Sequence, residues 1–287
     1  MNNAGCCQNK ESATSPVGLT IKFRGGVGPW LLLGLLMALV GCQTSGSALV
    51  SSSKVLREMP REERIPVMVL NFQNGTLKDK AELYQPWELG LPSMIMTDLE
   101  TIGIFNIVSR EMLKEVLREQ AMQKTGIVDE RQAVQMGRIV AAKYVLTGNY
   151  MAIDGQLRIE SRLISVEYGT QLGAAAVTGQ VSGFFDLEKQ LVLEMTRHLG
   201  AVLQPNEVKI IAANVETTSV NASLQNYAGE IKLYRAKDLK AEGKKDQAEK
   251  LIIEARLRFE QALQYDPGYE RAKMNLASLS MGIPMTL

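Results

Sequence analysis

The chain has 287 residues, of which 46% are hydrophobic, and 32 Lys and Arg face 31 Asp and Glu. A formal net charge of +1 gives no basic footprint for nucleic acid, and a single histidine leaves little for a metal site. The length suits one domain of roughly 150 residues plus a smaller one.

The first feature is an uncharged apolar run, Val27 to Gly41, VGPWLLLGLLMALVG. It is about 15 residues long, whereas a spanning helix needs about 20. Lys10, Lys22 and Arg24 precede it, and the Ser-rich stretch QTSGSALVSSSK follows. That arrangement predicts a secretory signal rather than a membrane anchor. Its end, Leu39-Val40-Gly41-Cys42, resembles a bacterial lipobox. A small residue before the cysteine suits the peptidase, and the thiol is the acyl acceptor. Residues 1–41 are therefore expected to leave, with cleavage between Gly41 and Cys42 and acylation (as by palmitate) of Cys42. The leader holds three basic residues against Glu11, so its loss takes the formal net charge from +1 to −1. Cys6 and Cys7 go with it. Cys42 is committed to lipid, so the fold rests on packing and not on disulfides. Gln43, not Asp, follows the cysteine; among lipoproteins that implies the outer membrane, facing the periplasm.

Residues 42–64 read as a lipidated N-terminus and tether, with a short helix near Lys54–Met59. Ile65-Pro-Val-Met-Val-Leu-Asn-Phe72 reads as a buried strand, broken by Gln73-Asn-Gly75. Leu91, Ile95, Leu99 and Ile102 recur at helical spacing, with Pro92 in the first turn and Gly103 as the C-terminal cap. Phe105–Val108 is the next strand. Ser109 is placed to cap a helix carrying Leu113, Val116 and Leu117. Asp129 and Gln132 form a capping-box pair before a helix with Ala133, Met136 and Val140 inside. Three strands follow: Tyr144–Tyr150, Gln156–Val166 and Gln171–Val181. Asp154-Gly155 marks a hairpin between the first two and Tyr168-Gly169 a turn before the third. Leu187, Leu191, Glu194 and His198 lie on a closing helix, beside Val192, Met195 and Leu199. The order β-α-β-α-α-β-β-β-α predicts an α+β fold with a mixed sheet and helices on at least one face.

Residues 204–222 read as a linker and 223–287 as helical. Tyr227, Ile231 and Tyr234 make one stripe. Ala248, Ile252, Ala255, Phe259 and Leu263 make another, and a third element spans Ala272 to Leu279. The mixed-charge stretch Lys237–Asp246 reads as a solvated helix end turning at Gly243.

Two stretches carry a family likeness. Residues 65–203 resemble the CsgG family of bacterial lipoproteins, which includes the curli secretion channel. They are also similar to LpoB-type activators of penicillin-binding proteins and to the N-terminal domain of TolB. The residues that match are Thr97, Asp98, Leu99, Gly103, Phe105, Val108, Arg110, Leu113, Gly137, Ala142, Tyr144, Thr147 and Gly148. These are strand cores, caps and turn glycines, which specify a fold more than a function. The second stretch, Arg258 to Ala277, resembles a junction between tetratricopeptide repeats through Ala262, Pro267, Ala272 and Leu276. One junction is below the roughly three units that a free-standing array needs. These helices are therefore expected to dock on the first domain, on a second copy or on another protein.

No nucleophile elbow, P-loop or dinucleotide fingerprint occurs. Gly25-Gly-Val-Gly28 falls in the leader, and His198 has no serine motif beside it. Neither a catalytic residue nor a cofactor is expected. The expectation is a non-enzymatic, lipid-anchored adaptor in cell-envelope assembly or curli-like secretion, with protein partners and a possible homo-oligomer. Two alternatives follow from the resemblance: a curli-type pore subunit and an activator of a peptidoglycan synthase. Against the pore stand minimal turns around Gln156–Val166 and the lack of an aromatic girdle, although its alternation of Leu157, Ile159 and Leu163 with Arg158, Glu160 and Arg162 would suit a lumen.

Overall fold

The computed structural model describes residues 55–109, 111–113 and 129–281. The strands are β1 (Ile65–Val69), β2 (Gln73–Asn74), β3 (Phe105–Ile107), β4 (Tyr144–Ile153), β5 (Gln156–Ser165) and β6 (Gln171–Gln180). Between and after them lie α1 (Lys78–Tyr84), α2 (Trp87–Ile102), α3 (Glu130–Ile139), α4 (Phe184–His198), α5 (Pro205–Ala213), α6 (Val220–Ala241), α7 (Lys245–Tyr265) and α8 (Glu270–Met281). The sheet order is β3-β1-β4-β5-β6, with β2 on β4. β1 is parallel to β3 and β4, while β4-β5-β6 is an antiparallel meander. The fold is a mixed α/β sheet with a helical C-terminal segment, and the sheet is open rather than a closed barrel.

β1 is covered on both sides, which is why its sequence is an unbroken apolar run. Val67 and Val69 join Leu146, Ile159 and Leu163 under α2 and α4, against Leu91, Ile95, Leu99, Leu191 and Met195. Met68 points the other way and packs with Val145, Ile164 and Val166 under Ala133 and Met136 of α3 and Leu113. β5 lies between two partners with Leu157, Ile159 and Leu163 fully buried. Its alternation is thus that of a half-buried sheet strand, not a lipid-facing one.

Local signals hold at several points. Asp129 accepts from Gln132 N–H at 2.8 Å and Gln132 Oε1 from Asp129 N–H at 3.1 Å. Ser109 Oγ accepts from Met112 N–H; Val116 and Leu117 of that helix lie outside the described residues. Asp154 and Gly155 both have positive φ, as a tight β4–β5 turn requires. Gly103 caps α2 with φ +85°, and a Cβ there would fall 2.1 Å from Arg57 O.

Other readings need correction. Val55–Pro60 carries no helix, and Arg61–Glu63 is a single 3₁₀ turn. Pro92 does not open α2; the helix starts at Trp87, after Pro86, and holds Pro92 in its interior. The stretch read as a linker contains α5, opened by Pro205 with a capping box between Gln204 and Glu207. β4 also runs three residues further than its apolar signal, because β5 pairs with Met151, Ala152 and Ile153.

The helical segment docks on the α/β domain. Tyr227 of α6 is fully buried in the main core, and Gly90 of α2 lies flat against its ring: a Cβ there would be 2.5 Å from Tyr227 Cδ2. Phe259 and Ala255 of α7 pack on Leu233. Ala262, Ala272 and Tyr269 close on Ala222 around the turn at Pro267. Among the described residues no helix is long and apolar enough to cross a membrane.

Candidate functional site

Gly41 and Cys42 lie outside the described residues. The described chain starts at Val55 and engages the fold there. Leu56 N–H donates to Thr101 O at 2.8 Å. Arg57 grips Glu207 of α5 with two bonds, Nε to Oε1 at 2.7 Å and Nη2 to Oε2 at 2.6 Å, and also donates to Val202 O. These bonds hold the Glu207 carboxylate far below its usual range, at about 2.

A buried ionic cluster joins α2 and α4. Lys189 Nζ lies 2.5 Å from Asp98 Oδ2 and 3.1 Å from Glu188 Oε2. Asn214 Nδ2, just beyond α5, donates to Asp98 Oδ1 at 2.7 Å. Asp98 is 1% exposed and Glu188 0%. Two carboxylates around one ammonium leave an excess negative charge out of water. Burial pushes both acids up; Glu188, with Asp98 also repelling its charge, rises to about 8. Glu188 is thus protonated at neutral pH. Burial alone would push Lys189 down, but the charged groups around it, with Asp98 at 2.5 Å, outweigh burial and the ammonium persists. The cluster is buried and joins three segments, which makes it a structural lock.

The exposed feature is the half of the sheet that α3 leaves uncovered. On this face Thr147, Asn149, Met151 and Ile153 of β4 stand beside Arg162, Glu160, Arg158 and Gln156 of β5. Ala174, Ala176, Thr178 and Gln180 of β6 form the outer row. Arg158 Nε meets Glu160 at 2.6 Å, and Arg162 lies 4.0 Å from Glu130 at the start of α3. A cleft of about 330 Å³ opens between α3 and this face, lined by Gln73, Glu130, Thr147, Asn149, Glu160 and Arg162 among others. It offers hydrogen-bond donors, acceptors and both charges on a rigid floor. Among the described residues no group of three His, Cys, Asp or Glu could hold a metal. His198 is exposed at the end of α4, its ring beside Gly173.

The residues that carried the family likeness are mostly architectural. Leu99, Phe105, Leu113 and Ala142 are core. Thr97 Oγ1 donates back to Ser93 O within α2. Gly137 and Gly148 sit where a Cβ would strike Val166 or Phe72 and Glu160 O. Arg110 lies outside the described residues. Asp98 alone is a buried charge. The Glu188–Lys189 partner of Asp98 and the Arg57–Glu207 clamp were missed. A signal existed for the first: Asp98 and Glu188 occupy apolar-stripe positions, three or four residues from Ile95, Ile102, Leu191 and Phe184.

Residues 49–181, just under half of the chain, match the family model "Curli production assembly/transport component CsgG". The chain carries a CsgG-like domain. The match spans β1 to β6 and ends before α4, so α4, one of the helices covering the sheet, and the helical tail lie beyond it. No curated protein sequence is significantly similar to the chain. Among solved structures, the LpoB C-terminal domain from Salmonella enterica is similar at 18% identity over 40% of this chain and 82% of that one, with TM-score 0.33. TolB from Acinetobacter baumannii gives 13% identity over 47% and 28%, TM-score 0.33. A PelC dodecamer from Paraburkholderia phytofirmans gives 19% over 51% and 94%, TM-score 0.30. Scores this low carry no argument about function.

Proposed function

We propose that this protein is a lipid-anchored, periplasm-facing adaptor of the outer membrane that acts by binding proteins, not by catalysis, in envelope assembly or secretion. The family description for residues 49–181 supports the process. The leader and lipobox-like Leu39–Cys42 support the anchor. The observation that carries the binding role is the uncovered face of β4-β5-β6. It is a broad, rigid surface of alternating charge, flanked by exposed Met151 and Ile153, and it sits beside a cleft rather than around a reactive constellation. Mixed charge ringed by apolar contacts suits a protein surface, where polar groups set orientation and apolar ones add burial. Anchoring confines the face to a thin layer and raises its effective concentration for partners there.

The test is affinity capture from solubilised envelopes with the lipidated wild type and with Arg158→Glu/Arg162→Glu. The reading expects a protein partner that the double variant loses at least tenfold, with membrane association unchanged. Equal recovery by both contradicts a binding role for this face. A captured penicillin-binding protein would make the chain a synthase activator. Conductance in planar bilayers would make it a pore subunit.

A further inference from the structure

Among the described residues, the outer edge of β6 has no strand partner. Its ten residues, Gln171–Gln180, include no charge and no proline, the features that usually guard an edge against pairing. Hydrogen-bond parity fixes which groups point outward. Leu146 O and Tyr150 O of β4 accept from Leu70 and Gly75 on the β1/β2 side, so the odd-numbered residues of β4 bond β5. Antiparallel ladders alternate, so Leu157, Ile159, Ser161 and Leu163 bond Gly179, Val177, Ala175 and Gly173, their register partners. Ala174, Ala176 and Thr178 are left with N–H and C=O groups directed away from the sheet.

The same edge is nearly palindromic: Gly173-Ala-Ala-Ala176-Val-Thr-Gly179. We propose that β6 pairs antiparallel with β6 of a second copy of this chain, about a two-fold axis at Ala176. In that register Gly173 meets Gly179, Ala175 meets Val177 and Ala174 meets Thr178. Residues that meet share a face: Ala175 and Val177 lie on the buried side, Ala174 and Thr178 on the exposed side. No charge opposes a like charge, and small side chains oppose small ones. The helical layer accommodates the pairing. α4 runs antiparallel to β6, with His198 over Gly173 and Leu187 over Gly179, and it packs on both β6 and β5. With strands about 4.8 Å apart, the two α4 helices come to lie on the order of 10 Å apart, a normal packing distance. The two uncovered faces then join into one continuous surface. This deepens the adaptor reading by naming one partner, yet it requires neither the lipid nor the envelope.

The test uses full-length protein in detergent, measured by light scattering and by deuterium exchange at the β6 amides. Wild type is expected at twice the chain mass, with Ala174, Ala176 and Thr178 protected. Ala176→Lys sets two ammonium groups against each other at the axis and should halve the mass, expose those amides and leave the circular dichroism spectrum and membrane fraction unchanged. Leu257→Lys, on the exposed side of α7, should stay dimeric. Thr178→Lys repeats the test should the first variant misfold, and the exchange pattern of wild type needs no variant. A monomeric wild type, a dimer that both lysine variants leave intact, or a higher ring with unprotected β6 amides overturns the proposal.

Discussion

Glu188 is a carboxyl that the fold keeps neutral. Its pKa is raised to about 8 in the folded state, against about 4.3 when unfolded. The stability tied to its proton is therefore complete below about pH 4.3 and is lost as pH rises toward 8. Glu188→Gln keeps the shape without the titration. Its melting temperature should gain on wild type progressively across that window and level off above it. A constant difference would contradict a buried neutral acid. Glu207 has the opposite sign. Its pKa is depressed to about 2, so its contribution is present above about pH 4.3 and is lost as pH falls toward 2. Arg57→Ala should flatten the acid limb of the stability profile, read by denaturation at pH 2–5. Both acids were visible as letters, but only their burial gives them a role. Asp98 and Glu188 were legible as charges on apolar stripes. Glu207 was not, because its partner Arg57 is 150 residues away in sequence.

At the scale of elements, α6 and α8 are held by different means. Gly90 lets α2 and α6 touch through the Tyr227 ring. Gly90→Ala gains up to about 1 kcal/mol of helix propensity, while overpacking costs about 1–3 kcal/mol. The overlap at 2.5 Å is with an immobile buried ring, so the cost should win, and urea unfolding should show net destabilisation. α8 is held by Arg271, whose Nε donates to Glu230 at 2.8 Å, with Asn275 Nδ2 donating to Glu230 at 3.0 Å and to Asn226 Oδ1 at 2.9 Å. Burial would push Glu230 up, but the Arg271 charge outweighs it and the carboxylate stays ionised. Arg271→Ala would strand that charge, at a cost of about 3–5 kcal/mol, seen as loss of exchange protection in α6 and α8. Element type was readable wherever periodicity, caps and turns agreed, as at Asp129–Gln132 and Asp154-Gly155. The start of α2 was not, because Pro86 and Pro92 are both acceptable first-turn residues and only packing of Trp87 on Phe184, 3.9 Å apart, selects the earlier one. α5 was hidden because β-branched Val208, Ile210 and Ile211 are weak helix signals and only Ile211 of its apolar residues is buried, so no apolar stripe marks the helix.

At the scale of the whole molecule, a CsgG-like domain carries a docked helical tail, and a lipid at Cys42 is proposed to hold both at the membrane. The fold class was legible from the order of elements. The face proposed for binding was not, since alternation along β5 shows which residues lie opposite the core but not whether another layer covers them. The proposed anchor is the reverse case: the sequence predicts it at Cys42, which lies outside the described residues. It is also the central claim, because localisation and the choice of partners depend on it. Each buried CH₂ contributes about 0.8 kcal/mol, so two or three acyl chains anchor stably where one does not. The most direct test is the denatured mass of the protein extracted from membranes, with Cys42→Ala alongside. The expected result is a chain beginning at Cys42 and carrying two or three acyl chains, with Cys42→Ala unprocessed and unacylated. A mature chain without lipid, or one cut elsewhere, would contradict the account.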